Sequence, residues 1–405
     1  MTTLKGLGYF RRKLQSKRPR VNLRYTFYEM KNLTRDFGIS TPPDLRQWMS
    51  CLGWCSKAVD SLADRMVFSG FKEDTFNLNE IYNLNNPDIL ADSLILDAMI
   101  GSCSFIYISP DADGYPRLQA ISCANATGEV DPITGMLKEG YAVLERDSMG
   151  SPVLEAYFVP GRTEYINNRT GDRQTFYNSA PYCLLVPVIY RPDVKRPFGH
   201  SRISRSCMSI VGSAVRTVKR SEIAAEFFSF PQKYITGLSE DAEIQNKWAA
   251  AMSAMMSFGK DADGDAPKVG QFAQQSMTPH LEQLRMFAAL FAGETDLTLD
   301  DLGFVSGNPS SADAIKSAHE GLRLRAKKAQ RTMGSGFLNA GYLAACVRDD
   351  YAYKREILHM TKPTWEPVFE PDAAMLSGIG DALIKIEQSH PGYVTDDKLK
   401  ELTGF

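Results

Sequence analysis

The chain contains no uninterrupted run of eighteen apolar residues, so no segment reads as a membrane-spanning helix. No apolar stretch follows its first residues, and a secretory signal is not expected. No Gly-x-x-x-x-Gly-Lys-Ser/Thr phosphate loop and no Gly-x-Ser-x-Gly elbow occur, which argues against P-loop ATPases and α/β-hydrolases. The five histidines, His200, His280, His319, His359 and His390, lie far apart without a His-x-x-x-His pair, and a structural or exposed role is their ordinary reading. The seven cysteines are scattered. Only Cys51 and Cys55 are close, and no second pair follows at metal-ligand spacing, so reduced thiols of a cytosolic protein are expected. Asp111-Ala-Asp113-Gly114 and Asp263-Gly264-Asp265 resemble fragments of calcium loops, but the glycine spacing is wrong and no distal Glu is in place; both read as turns. A net charge of −2 excludes a conventional basic nucleic-acid binder. No residues converge on a catalytic site, and no metal or cofactor is expected.

What is present is length and pattern. At 405 residues, more than one packed region is expected. Lys5, Arg11, Arg12, Lys13, Lys17, Arg18, Arg20 and Arg24 all precede the first acidic residue. This basic stretch, 1–24, reads either as a solvated, disordered arm or as one that docks on an acidic surface of a partner. Helices are predicted over 43–64 and 86–100. Between Cys103 and Val188 short β-rich runs alternate with turn signals such as Asp113-Gly114, Met149-Gly150 and Thr170-Gly171-Asp172. A long helix is predicted over 201–230 and another from Pro279 to about Ala292, with a polar excursion between them holding a short helix near 242–256. Later, 361–369 reads as a strand, 371–388 as an amphipathic helix and 395–402 as a short capped helix.

The longest signal is Ser310 to Asp349. After Asn308-Pro309, Ser310 supplies an N-cap oxygen, and no proline recurs until Pro363. Ile315, Ala318, Leu322, Ala326, Ala329, Met333, Phe337, Ala340, Ala344 and Val347 follow at steps of three or four. That spacing predicts one continuous helix. Lys316, Arg323, Lys327 and Arg331 form a basic stripe on it, either solvated or turned toward an acidic partner.

Three stretches carry a family resemblance. They are Arg196-Pro-Phe-Gly-His-Ser-Arg-Ile203 leading into a helix with Arg216, Lys219 and Arg220; Leu302-Gly-Phe304 through Asn308-Pro-Ser-Ser-Ala-Asp-Ala-Ile315; and Thr364-Trp-Glu-Pro367 before a final helix. Together with the element order they resemble the portal proteins of tailed bacteriophages. The resemblance implies an α+β subunit with a wing (1–200), a first stem helix (201–230), a clip (231–277), a second stem helix (278–293), a tunnel loop (294–309), a spine helix (310–349), and a wing strand with short crown-like helices (350–405). It implies a homo-oligomeric ring, twelve copies in the family, that passes double-stranded DNA without sequence preference during packaging and ejection. The packaging motor's terminase large subunit, a head–tail adaptor, the major capsid protein and scaffold would be its partners. The channel residues would be Asp296, Thr298, Asp300, Asp301, Phe304 and Asn308 in the tunnel loop, with Arg216, Lys219 and Arg220 on the stem. Lys233, Tyr234, Lys260 and Lys268 would dock partners at the clip. No catalytic role is implied. Another capsid or tail component, a nucleic-acid-acting enzyme and a coiled-coil scaffold are the competing readings.

Overall fold

A computed structural model describes residues 4–32, 34, 49–229, 233–236, 268–271, 276–305, 312–369 and 373–395. The chain divides into two units, one of residues 1–32, 53–208 and 294–405, the other of 33–52 and 209–293.

The first unit is built on antiparallel sheets. Strand β2 (Cys103–Pro110) is buried along most of its length and lies between β3 (Pro116–Ser122) and β9 (Leu185–Ile189). Strands β4 (Ala126–Val130), β5 (Leu137–Arg146), β6 (Pro152–Val159), β7 (Arg162–Asn167) and β8 (Arg173–Tyr177) form a meander in chain order. Two of its turns fall where the sequence places them, and Gly150 and Gly171 there adopt φ of 80° and 79°, which glycine takes without steric cost. Asp111 accepts the N–H groups of Asp113 (3.0 Å) and Tyr115 (2.8 Å), so this carboxylate closes a turn as expected.

Helix α4 (Pro87–Gly101) packs on β2 and β3 and next to α2 (Trp54–Ala63). Helix α1 (Leu7–Tyr28) lies against α4, α2, β4 and β5 with Phe10, Leu14 and Val21 buried. The basic N-terminal stretch is therefore an ordered helix of the body, not a disordered arm. Periodicity is weak in α1 and Pro19 sits inside it, which masks the signal.

The ribbon of β1 (Phe68–Lys72) and β12 (Lys362–Trp365) joins distant parts of the chain. With α3 (Leu78–Asn83) it grips the spine through an aromatic cluster. Phe68 stacks on Phe337 with centroids 4.7 Å apart, Trp365 lies 5.9 Å from Phe337, and the Tyr82 hydroxyl donates to the Phe337 carbonyl at 2.8 Å.

The predicted spine is two helices. Ala312–Ala318 and Glu320–Arg348 are separated at His319. In chain order they are α7 and α8, following α5 (Arg205–Ser229) and α6 (Thr278–Thr295). At ~1.5 Å per residue α8 alone runs about 43 Å. Its predicted core residues Leu322, Ala326, Ala329, Met333, Phe337, Ala340 and Ala344 are buried, whereas Ile315 in α7 is 51% exposed.

Helix α2 begins at Trp54, eleven residues after the expected start at Pro43; of that expected span 43–48 lie outside the described residues. The expected short helix over 242–256 and the residues 396–402 also lie outside them. Strand β1 lies outside the 103–188 stretch of predicted β-rich runs. The last helix, α9 (Ala373–Ser389), falls where the amphipathic pattern places it.

The second unit contains residues 209–229 of α5, 278–293 of α6 and an antiparallel ribbon of β10 (Lys233–Thr236) and β11 (Lys268–Gln271). Within it Thr217 donates its hydroxyl to the Gln283 side-chain oxygen at 3.0 Å.

Candidate functional site

The expected tunnel loop is short of free acid. Asp296 adopts φ 55° and is ion-paired with the Arg325 guanidinium of α8. Asp301 accepts the Thr298 N–H (2.8 Å), the Thr298 hydroxyl (2.9 Å) and the His319 ring Nε2 (3.1 Å). Burial raises the cost of charging Asp301, but the Thr298 donors and the imidazole outweigh it and hold the carboxyl below its ordinary value. The His319 Nδ1 meets the Ile315 carbonyl at 2.9 Å. The residue that interrupts the spine is thus tied to both the preceding helix and the loop. Asp300 and Asp301 lie in one turn of 3-10 helix, and Asp300 is the exposed carboxylate of the three. Thr298 and Phe304 are half-buried; Asn308 lies outside the described residues.

The Arg196–Ile203 stretch is structural. Gly199 has φ 73°, and a Cβ there would stand 2.0 Å from the Tyr190 carbonyl oxygen, so only glycine fits. Ser201 donates to the Ile100 carbonyl at 2.6 Å. Arg202, only 5% exposed, donates through Nε to the Ala58 carbonyl and through an NH2 nitrogen to the Thr295 carbonyl, both at 2.6 Å. One side chain therefore joins α2 to the end of α6. Burial lowers the pKa of this guanidinium.

In the second unit, Arg216 donates to the Ser213 hydroxyl at 2.9 Å and, like Arg220, is half-buried. Lys219 is only 7% exposed, so this member of the expected stem trio is not presented to solvent. Its neighbours Ala214, Val215 and Thr217 are buried with it. The ribbon brings the expected clip residues together: Thr236 faces Lys268, Tyr234 faces Gly270, and Lys233 faces Gln271. A Cβ on Gly270 would stand 2.3 Å from the Tyr234 ring, which lies over the glycine. Lys260 lies outside the described residues.

On the spine, Lys316, Lys327 and Arg331 are exposed, while Arg323 is held by Glu320 through two hydrogen bonds of 2.6 Å.

The sequence reading missed two buried carboxylates beneath α1. Glu139 on β5 accepts the N–H groups of Lys5 (2.9 Å) and Gly6 (3.1 Å), so a negative charge sits at the helix N-terminus. Glu155 on β6 accepts Arg11 Nε at 3.1 Å and the Tyr141 hydroxyl. Both residues are at most 4% exposed. A signal existed: Glu139, Tyr141, Val143 and Glu155, Tyr157, Val159 alternate with period two, and the four non-acidic members are buried against Phe10 and Leu14.

Among the described residues, no group of three or more His, Cys, Asp or Glu is placed to hold a metal ion, and no helix is long and apolar enough to cross a membrane. The buried charges bind backbone and helix ends together. No protein-family model matches the chain. It is 23% identical over 403 residues to the portal protein of Mycobacterium phage L5 and 24% identical to that of Mycobacterium phage D29, in each case covering 94% of this chain and 81% of the relative. The chain is a homologue of bacteriophage portal proteins. Solved structures similar to it include the neck of a native gene transfer agent particle computed with C12 symmetry and the neck of the empty particle computed with C6 symmetry. Both have a TM-score of 0.47 and 12% identity, covering 95% and 93% of this chain and 99% and 97% of those chains.

Proposed function

We propose that this chain is the repeating subunit of a ring that conducts double-stranded DNA at the portal vertex of a phage capsid. The observation that carries the reading is the similarity to two portal proteins across 94% of the chain. In this reading the role is structural, the protein resides in the virion, and rings of twelve copies meet the terminase large subunit during packaging, then a head–tail adaptor, with capsid protein and scaffold around the wing. The stem helices, clip ribbon, tunnel loop and spine take the residue ranges that the resemblance implies.

A conduit must not grip its cargo. Each phosphate contact releases counterions and adds a large, salt-dependent attraction. Asp296 is paired with Arg325 and Asp301 accepts the Thr298 and His319 donors, which leaves Asp300 as the exposed one of these three carboxylates. Arg216 and Arg220 on the stem then supply weak guidance that ignores base sequence.

Negative-stain microscopy of the purified protein tests the ring: a central hole supports it, and a compact monomer overturns it. In assembled particles, Asp300→Lys is expected to slow DNA exit; packaging and ejection at wild-type rates would count against the loop's part.

A further inference from the structure

An open cleft of about 1000 Å³ lies in the first unit between α1, the end of α4 and the 195–206 segment. Lys13, Lys17, Arg20 and Arg24 line it at steps of four, three and four, one face of a helix. At ~1.5 Å per residue this row is about 16 Å long. Lys195, Arg196 and Arg205 line the cleft as well.

Its own acids are engaged. Glu129 pairs with Lys5 (3.0 Å) and Lys13 (3.4 Å), and Glu294 accepts the Ser204 hydroxyl at 2.8 Å. Arg24 donates to the Gly101 carbonyl at 2.6 Å and Arg196 to the His200 ring at 3.2 Å. Lys17, Arg20, Lys195 and Arg205 are exposed and have no ion pair among the described residues. The cleft therefore presents a row of cations that its own acids do not neutralise.

The other end of α4 has the opposite character. Asp88 and Asp92 there, with Asp64 at the end of α2, are exposed and have no ion pair among the described residues. Burial and then the like charges of Asp88 and Asp64 raise the Asp92 pKa, so this end is crowded with negative charge. Ile89 stands 72% exposed beside them. Gly101 borders the cleft and Asp88 lies thirteen residues away on the same straight helix, about 20 Å at ~1.5 Å per residue. The carboxylates cannot bend back into their own cleft, but those of another molecule can enter it.

We propose that the cationic cleft receives the acidic α2–α4 end of a second copy of this chain. This is a heterologous contact, with different patches on its two sides, and such contacts generate closed rings. The inference deepens the ring reading and rests on it.

The test is a charge swap read by native mass spectrometry. Lys17→Glu with Arg20→Glu reverses the cleft. Asp64→Lys with Asp92→Lys reverses the acidic end; both sites are exposed, and Asp64 is the C-cap of α2, where a cation is favourable. Each pair alone is expected to raise the half-assembly concentration by at least ~10-fold, because like charges then face each other. Mixing the two variants one to one, or combining all four changes, is expected to restore assembly to within about threefold of wild type, since complementarity returns. Unchanged assembly of the single-patch variants, or no rescue on mixing, overturns the contact while leaving the ring standing. A wild-type chain that remains monomeric overturns both. Normal assembly of the cleft variant together with lost binding of a short duplex DNA would assign the cleft to nucleic acid instead.

Discussion

Replacing Arg11 with alanine isolates what fastens α1 to the sheet. The Glu155 side chain is 3% exposed and that of Arg11 42% exposed, so the pair is half-open. Two unit charges ~4 Å apart attract by about 4 kcal/mol at an effective dielectric of ~20. Solvent screening on the Arg11 side removes a large share of that. The Tyr141 hydroxyl remains as a donor to Glu155, and water can enter the space the guanidinium leaves. The expected cost is about 1.5–3 kcal/mol, the range for a hydrogen bond to a buried charge. Hydrogen exchange is the suitable readout, because detachment of α1 is a local opening. Amides of residues 10–24 in α1 should exchange about ten- to a hundredfold faster, since ~1.4 kcal/mol is a factor of ten. Arg11→Ala combined with Glu155→Gln should lose less than the sum of the two single changes, by about 1 kcal/mol.

Acid supplies a second arm. Burial pushes the Glu155 carboxyl up, but Arg11, Tyr141 and Asn168 outweigh it and hold it below its ordinary value. The ionised form is favoured in the fold. Its contribution is therefore complete above the unfolded value of about 4.3 and disappears as the pH falls through the lower, folded value. The gap between wild type and Arg11→Ala should narrow as the pH falls below about 4.3 and close below the folded value. A change of under twofold in α1 exchange at neutral pH would refute the reasoning.

Two further outcomes are expected. Gly336→Ala sets two effects against each other, a gain of up to ~1 kcal/mol in helix propensity and a Cβ placed 2.9 Å from the Pro187 carbonyl oxygen and 3.1 Å from the Val188 Cα. Backbone cannot yield cheaply, so a net loss of about 1–2 kcal/mol and a lower melting temperature should result; an unchanged or higher one would mean that β9 gives way. Arg202→Met strands the Ala58 and Thr295 carbonyls and should cost about 2–4 kcal/mol in chemical denaturation, with Arg202→Lys losing roughly half of that; wild-type stability of the Met variant would show that relief of the buried charge dominates.

Much of this architecture was readable from residues. The turn glycines located the meander, and period-three-and-four spacing located α4, α5, α6 and the buried face of α8. What escaped depends on partners remote in sequence. His319 interrupts the spine because Asp301 and the Ile315 carbonyl hold its ring, and apolar spacing carries no trace of that. The same holds for the loop acids. Asp296 and Asp301 read as free charge until Arg325 and His319 are brought beside them. Strand β1 is short and pairs with β12 nearly 300 residues away, so local propensity is weak there, although 361–369 itself reads as a strand. For α1, eight cations before any acid suggested solvent, while the carboxylates that order it lie more than 130 positions later.

That separation has a consequence for biosynthesis. Arg11 and Glu155 are 144 residues apart. At a translation rate of ~5–20 residues per second, roughly 7–30 s pass between the appearance of the guanidinium and that of its acceptor. During this interval Arg11 has no Glu155 to receive it. The meander pairs neighbour with neighbour and can form as soon as it leaves the ribosome, so the first part of the protein to be made is among the last to find its seat.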